Sequence, residues 1–179
     1  AATSCDSLAS MALPHTTITL ASVVEAGAFT PPGSAGANPS GPAGQVFRGL
    51  PAFCRVAATI QPSSDSDIKV EVWLPVAGWN GKFQAVGNGG WAGTISYPAM
   101  ATALAAGYAS ASTDTGHTGN NPNFITGHPE KVNDFGYRAV HEMTVAAKAL
   151  INAYYGNAPK FSYWNGCSTG GRQGYLLGQ

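Results

Sequence analysis

Apolar and polar positions alternate most clearly in the segment DIKVEVWLP. There Ile68, Val70, Val72 and Leu74 are interleaved with Lys69, Glu71 and Trp73. That period of two predicts a half-buried β-strand. CRVAATIQP, starting at Cys54, predicts the strand before it, and the short apolar run Phe83–Val86 the strand after it. Glycines at 87, 89 and 90 end that run. SYPAMATALAAGY then reads as a helix of small residues with a stop at Gly107, and YASAST (108–113) as a buried strand. A long loop follows, and Asn133 or Asp134 is placed to cap the next helix. In that helix Tyr137, Val140, Met143, Thr144, Ala147, Leu150, Ile151 and Tyr154 share one face at 3.6-residue spacing, and Gly156 stops it. KFSYWNG (160–166) predicts an aromatic-rich strand, and a helix is expected after Ser168.

The front of the chain is less periodic. CDSLASMAL suggests a short helix, TTITLASVVEAGAF is β-branched enough for a strand, and residues 30–44 read as a Pro/Gly-rich surface loop. From Cys54 onward strands and helices alternate. That order predicts an α/β fold with a mainly parallel sheet flanked by helices.

Composition narrows the function. Apolar residues make up 44% and charged residues 10%, with nine basic and nine acidic side chains. A neutral, weakly charged chain offers no clustered cationic surface for nucleic acid, and no apolar run is long enough to span a membrane. The three cysteines, Cys5, Cys54 and Cys167, leave one unpaired if a bridge forms. A Cys5–Cys54 bridge is expected, and with it a secreted or periplasmic location.

The chemistry concentrates in WNGCSTGGRQG (164–174), which contains the G-x-S-x-G string Gly166–Gly170. The string alone is weak, but a strand before it and a helix after it are the context of a nucleophile elbow. The sharp reversal would project Ser168 at the top of the sheet, above a helix N-terminus whose free N–H groups favour an oxyanion. Thr169 N–H is the natural first donor. A second is expected from the loop after the third strand, at Asn88 or, as second choice, Gly89. The histidines are His15, His117, His128 and His141, and none follows Ser168. A triad histidine normally does in this fold, so the base is expected beyond residue 179. Asp114 and His117 are read as structural groups at the pocket rim.

NGCSTGGRQG, together with VGNGGWAG and STDTGH, resembles the tannase and feruloyl esterase family of α/β-hydrolases, over about Cys54 to Gln179. The resemblance implies an N-terminal part of an α/β-hydrolase catalytic domain, residues 1–179, ending just after the elbow. The family's catalytic Asp and His and its lid domain, with a bound calcium, have no counterpart here. It also implies that Cys167 pairs with a cysteine beside the absent catalytic histidine. Catalysis would need no cofactor. The implied function is a serine esterase that cleaves aromatic acid esters, such as gallates, ferulates or terephthalate monoesters, through an acyl-enzyme on Ser168. The implied partners are that small ester and the missing C-terminal part or second chain. Two other readings are another serine hydrolase, a lipase or peptidase, and a non-catalytic phenolic- or carbohydrate-binding domain using Trp73, Trp79, Trp91 and Trp164.

Overall fold

The computed structural model describes residues 3–33 and 42–178. Six strands form one sheet: β1 Thr16–Val24, β2 Phe53–Ile60, β3 Ile68–Pro75, β4 Lys82–Val86, β5 Ala109–Thr113 and β6 Phe161–Asn165. Their spatial order is β1-β2-β3-β5-β4-β6. Among the described residues five α-helices accompany them: α1 Pro42–Arg48, α2 Tyr97–Ala105, α3 Pro129–Asn133, α4 Ala139–Tyr155 and α5 Thr169–Leu177. CDSLASMAL contributes a single 3-10 turn, Asp6–Ser10.

The α/β character is as the sequence pattern indicates, but strand direction divides the sheet. β1, β2, β3 and β5 are neighbours in antiparallel pairs, while β4 runs parallel to both β5 and β6. Parallel neighbours need a crossover, and only the later connections contain one. Helix α2 carries the chain from β4 to β5, and α4 carries it from β5 to β6. The earlier strands have no such crossover between β2 and β3, so they pair as a meander. The parallel half is therefore the half that holds Ser168.

Helices cover both faces. One core contains Val70, Val72, Leu74, Met143, Ala147 and Leu150, so α4 closes that face. The other contains Phe29, Phe47, Phe53, Trp73, Met100 and Leu104, which places α1 and α2 opposite. This second layer overturns the half-buried reading of β3. Trp73 is 0% and Glu71 4% exposed. A buried carboxylate needs partners, and Glu71 has them: both branches of the Arg55 guanidinium, Trp73 Nε1 (2.9 Å) and the Tyr97 hydroxyl (3.0 Å) all donate to it. The hydrogen bond to Glu71 in turn raises the pKa of Arg55.

The long helix starts earlier than its pattern suggests. α3, a π-helical turn at Asp134–Arg138 and α4 run on without a break, because Asn133, Asp134, Arg138 and Ala139 all keep right-handed helical angles. Pro129 supplies the first turn. Asp134 is not a cap: it is buried within the helix and accepts from Arg138 Nε at 2.6 Å. Tyr137 leaves the expected apolar face and is exposed, since the π turn shifts the angular register ahead of α4. Gly156 does end the helix, in a left-handed conformation at φ 74°.

Cys5 and Cys54 are joined by a disulfide, tying the N-terminal 3-10 turn to β2. Of the surface-loop reading of 30–44, residues 34–41 lie outside the described residues, and its end is helical instead, since α1 begins at Pro42.

Candidate active site

β6 ends at Asn165 and α5 begins at Thr169, so only three residues make the reversal between them. Ser168 takes φ 55° and ψ −118°, a left-handed region that a side chain enters at a cost of about 1–3 kcal/mol. The glycines make room for it. A Cβ on Gly166 would lie 2.7 Å from the Gly170 carbonyl, and one on Gly170 would lie 2.9 Å from the Asn88 carbonyl oxygen. Strand, turn and helix thus interlock with the β4 loop at a spacing only glycine permits. Trp164 lies beneath, with its Nε1 donating to the Gly170 carbonyl at 2.7 Å.

Among the described residues the Ser168 hydroxyl has no hydrogen-bond partner, and neither does the Thr169 N–H at the first position of α5. Cys167, beside Ser168, is an exposed free thiol. In the β4 loop Asn88 and Gly89 differ in how their N–H groups are used. Asn88 N–H donates to Gln173 Oε1 at 3.2 Å, and its side-chain amide donates to the Thr94 and Thr113 carbonyls. That locks Asn88 against α5 and β5 as a brace. Gly89 is exposed, and its N–H, one residue on, has no partner among the described residues.

Two of the histidines have side-chain partners of their own. His117 is buried, stacks on Phe124 at 3.7 Å, and approaches the Trp91 carbonyl through Nε2 at 2.8 Å. A carbonyl only accepts, so Nε2 carries the proton. His128 pairs with Asp65 at 2.7 Å, and His141 lines a cleft of about 280 Å³ between α4 and α5. None is hydrogen-bonded to Ser168. Asp114 closes the end of β5, where its Oδ1 accepts from Lys69 and Gly116 N–H, each at 2.9 Å. Burial pushes its pKa up to about 6 against those two hydrogen bonds. Asp114 and His117 also line a cleft of about 360 Å³.

Sequence reasoning missed an aromatic stack beside the elbow. Trp91 stacks on Phe135 of the π turn at 5.0 Å, and the Arg172 guanidinium sits over the same ring at 5.2 Å. Arg172 also donates to the Gly136 and Phe135 carbonyls at 2.6 and 3.2 Å. Position in the chain gives no hint of this grouping, which draws on three separate loops and helices. Among the described residues no group of three or more His, Cys, Asp or Glu side chains would hold a metal ion. No helix among the described residues is long and apolar enough to cross a membrane.

Residues 54–179 match the family model described as "Tannase and feruloyl esterase". An uncharacterized esterase of Xanthomonas campestris pv. campestris is 43% identical over all of this chain, which spans 30% of that protein. A probable feruloyl esterase B-1 of Aspergillus fumigatus is 43% identical over 69% of this chain and 23% of its own length. Among solved structures, feruloyl esterase B from Aspergillus oryzae superposes with a TM-score of 0.83 at 37% identity, covering 96% of this chain and 33% of that one. Tannin acyl hydrolase from Aspergillus niger superposes with a TM-score of 0.67 at 25% identity, over 94% and 31%. The chain therefore spans about a third or less of the length of these relatives.

Proposed function

The chain belongs to the tannase and feruloyl esterase family, and on that premise we propose that it carries the nucleophile half of a secreted or periplasmic carboxylic ester hydrolase. The observation that carries this reading is the elbow: a strained Ser168 at a helix N-terminus, with the Thr169 and Gly89 N–H groups unpartnered among the described residues.

The steps follow from those groups. Ser168 Oγ attacks the ester carbonyl and gives its proton to a base. The oxyanion that forms is held by the N–H groups of Thr169 and Gly89. Collapse breaks the bond to the alcohol, which leaves with the proton, and an acyl group remains on Ser168. Water, deprotonated by the same base, releases the acid. The base is a histidine oriented by an aspartate, contributed by a continuation of the chain or a second chain and tethered through Cys167. The substrate is an ester of an aromatic acid, in the class of gallates, ferulates and terephthalate monoesters, and the structural calcium belongs to the lid.

A binding module is the weaker reading. The indole N–H groups of Trp73, Trp79 and Trp164 are all used inside the chain, so these three do not form an open strip. The test is fluorophosphonate labelling and turnover of methyl gallate, methyl ferulate and 4-nitrophenyl acetate by the protein with its native continuation. We expect labelling and hydrolysis of at least one ester, both abolished by Ser168→Ala. Unchanged turnover in that variant would remove Ser168 from the mechanism.

A further inference from the structure

Among the four tryptophans, Trp91 stands apart. The other three donate their indole N–H to Glu71, to the Lys82 carbonyl and to the Gly170 carbonyl. Trp91 Nε1 has no partner among the described residues, and Trp91 is 42% exposed. Exposure of this kind usually accompanies a mobile loop, but this loop is fastened. The Trp91 carbonyl accepts from His117 Nε2, Ala92 N–H donates to the Gly89 carbonyl at 3.0 Å, and Gly93 N–H donates to the Gly119 carbonyl at 2.8 Å. The ring is fastened too. It stacks on Phe135 with planes 21° apart and meets Phe124 edge-on at 6.4 Å, while the residue keeps 42% of its surface exposed. Phe135 in turn lies beneath Arg172, four residues past Ser168. A buried histidine and a carbonyl-anchored arginine thus hold one aromatic face and one unused N–H beside the oxyanion loop. Trp91 is two residues from Gly89.

The geometry points to Trp91 as a specificity-determining residue: a fixed platform that stacks the aromatic ring of the ester and offers its indole N–H to an oxygen substituent on that ring. The assignment rests on the esterase reading above for its position relative to the reacting carbonyl. A rigid aromatic surface loses little conformational freedom on binding, and an offset-stacked pair gains beyond the area it buries. His117 and Phe135 are positioning residues in this arrangement, since they act through Trp91.

The test compares methyl cinnamate, methyl ferulate and methyl butanoate in the protein with its native continuation. Trp91→Leu should lower kcat/KM for methyl cinnamate by about tenfold, mostly through KM, and change methyl butanoate by less than about twofold. Trp91→Phe keeps a stacking face without a donor. It should restore methyl cinnamate and leave methyl ferulate reduced by about threefold or more. An equal loss on cinnamate and butanoate in Trp91→Leu, or no loss on either, overturns the proposal. If the parent hydrolyses none of the three, the esterase reading fails, and the platform is judged by binding instead. Sodium ferulate should quench the tryptophan fluorescence, with affinity at least about fivefold weaker in Trp91→Leu. Absent binding, or unchanged affinity in the variant, overturns the platform as well.

Discussion

At the scale of single residues, two substitutions separate roles that lie close together. Gly89→Pro deletes one N–H, and a Cβ at this position meets nothing within 4 Å. Loss of an oxyanion donor typically costs about 100- to 1000-fold in kcat, so Gly89→Pro should fall in that range while Gly89→Ala stays near the parent. Assays of both variants, with circular dichroism to confirm folding, check it. Asp114 makes a different prediction. Its pKa rises from 3.8 to about 6 on folding. The folded state therefore holds the proton more tightly, and the contribution to stability is full below about pH 4 and lost as pH rises through about 6. Asp114→Asn lacks that titration. The unfolding free energy of the parent minus that of the variant should fall by about 1–3 kcal/mol between pH 4 and pH 7, measured by urea titration at each pH. A flat difference would place the charge in a better-solvated site than its burial indicates.

Elements are held by different means at the two ends of the sheet. Trp164 fills a cage of glycines under the elbow, and a Cβ on Gly174 would come within 2.3 Å of its indole. Gly171, three positions earlier on α5, has only the Gly166 carbonyl oxygen at 3.9 Å. Gly174→Ala should therefore destabilise by about 1–3 kcal/mol through overpacking. Gly171→Ala should be neutral or stabilise by up to about 1 kcal/mol, because alanine is the better helix former. Thermal melts of the pair decide the point. At the other end, the Cys5–Cys54 bridge spans 49 residues of separation, which the loop-entropy relation equates with about 4 kcal/mol. This contrast also shows what was legible in the chain. The alternation in β3, the G-x-S-x-G elbow and the glycine stop at 156 are local signals, so sequence carries them. The second covered face of β3, the π turn that displaces Tyr137 and the bond that occupies Asn88 N–H depend on distant partners. Gln173 lies 85 positions from Asn88, and no local pattern announces such a meeting.

For the whole molecule, the edge strand decides behaviour. β6 pairs only with β4 among the described residues, and Phe161 and Tyr163 are 60% and 45% exposed. An open apolar edge of this kind invites association between chains. With no histidine bonded to Ser168, residues 1–179 expressed alone should show no turnover of methyl ferulate above a Ser168→Ala control, and light scattering should report association. Ser168-dependent turnover by that chain would assign the base to His117, His128 or another group within it. The opposite, antiparallel end has a consequence of its own, one of timing. Its meander needs no crossover helix, and both halves of its bridge, Cys5 and Cys54, precede β3. A chain that enters an oxidising compartment N-terminus first presents these two thiols to that compartment's disulfide-forming oxidant before Cys167 arrives. Entry in that order favours pairing of Cys5 with Cys54 and leaves Cys167 the unpaired thiol. Refolding the whole reduced chain at once forfeits that order, and bridges between Cys167 and Cys5 or Cys54 should then appear in its unreduced peptide maps.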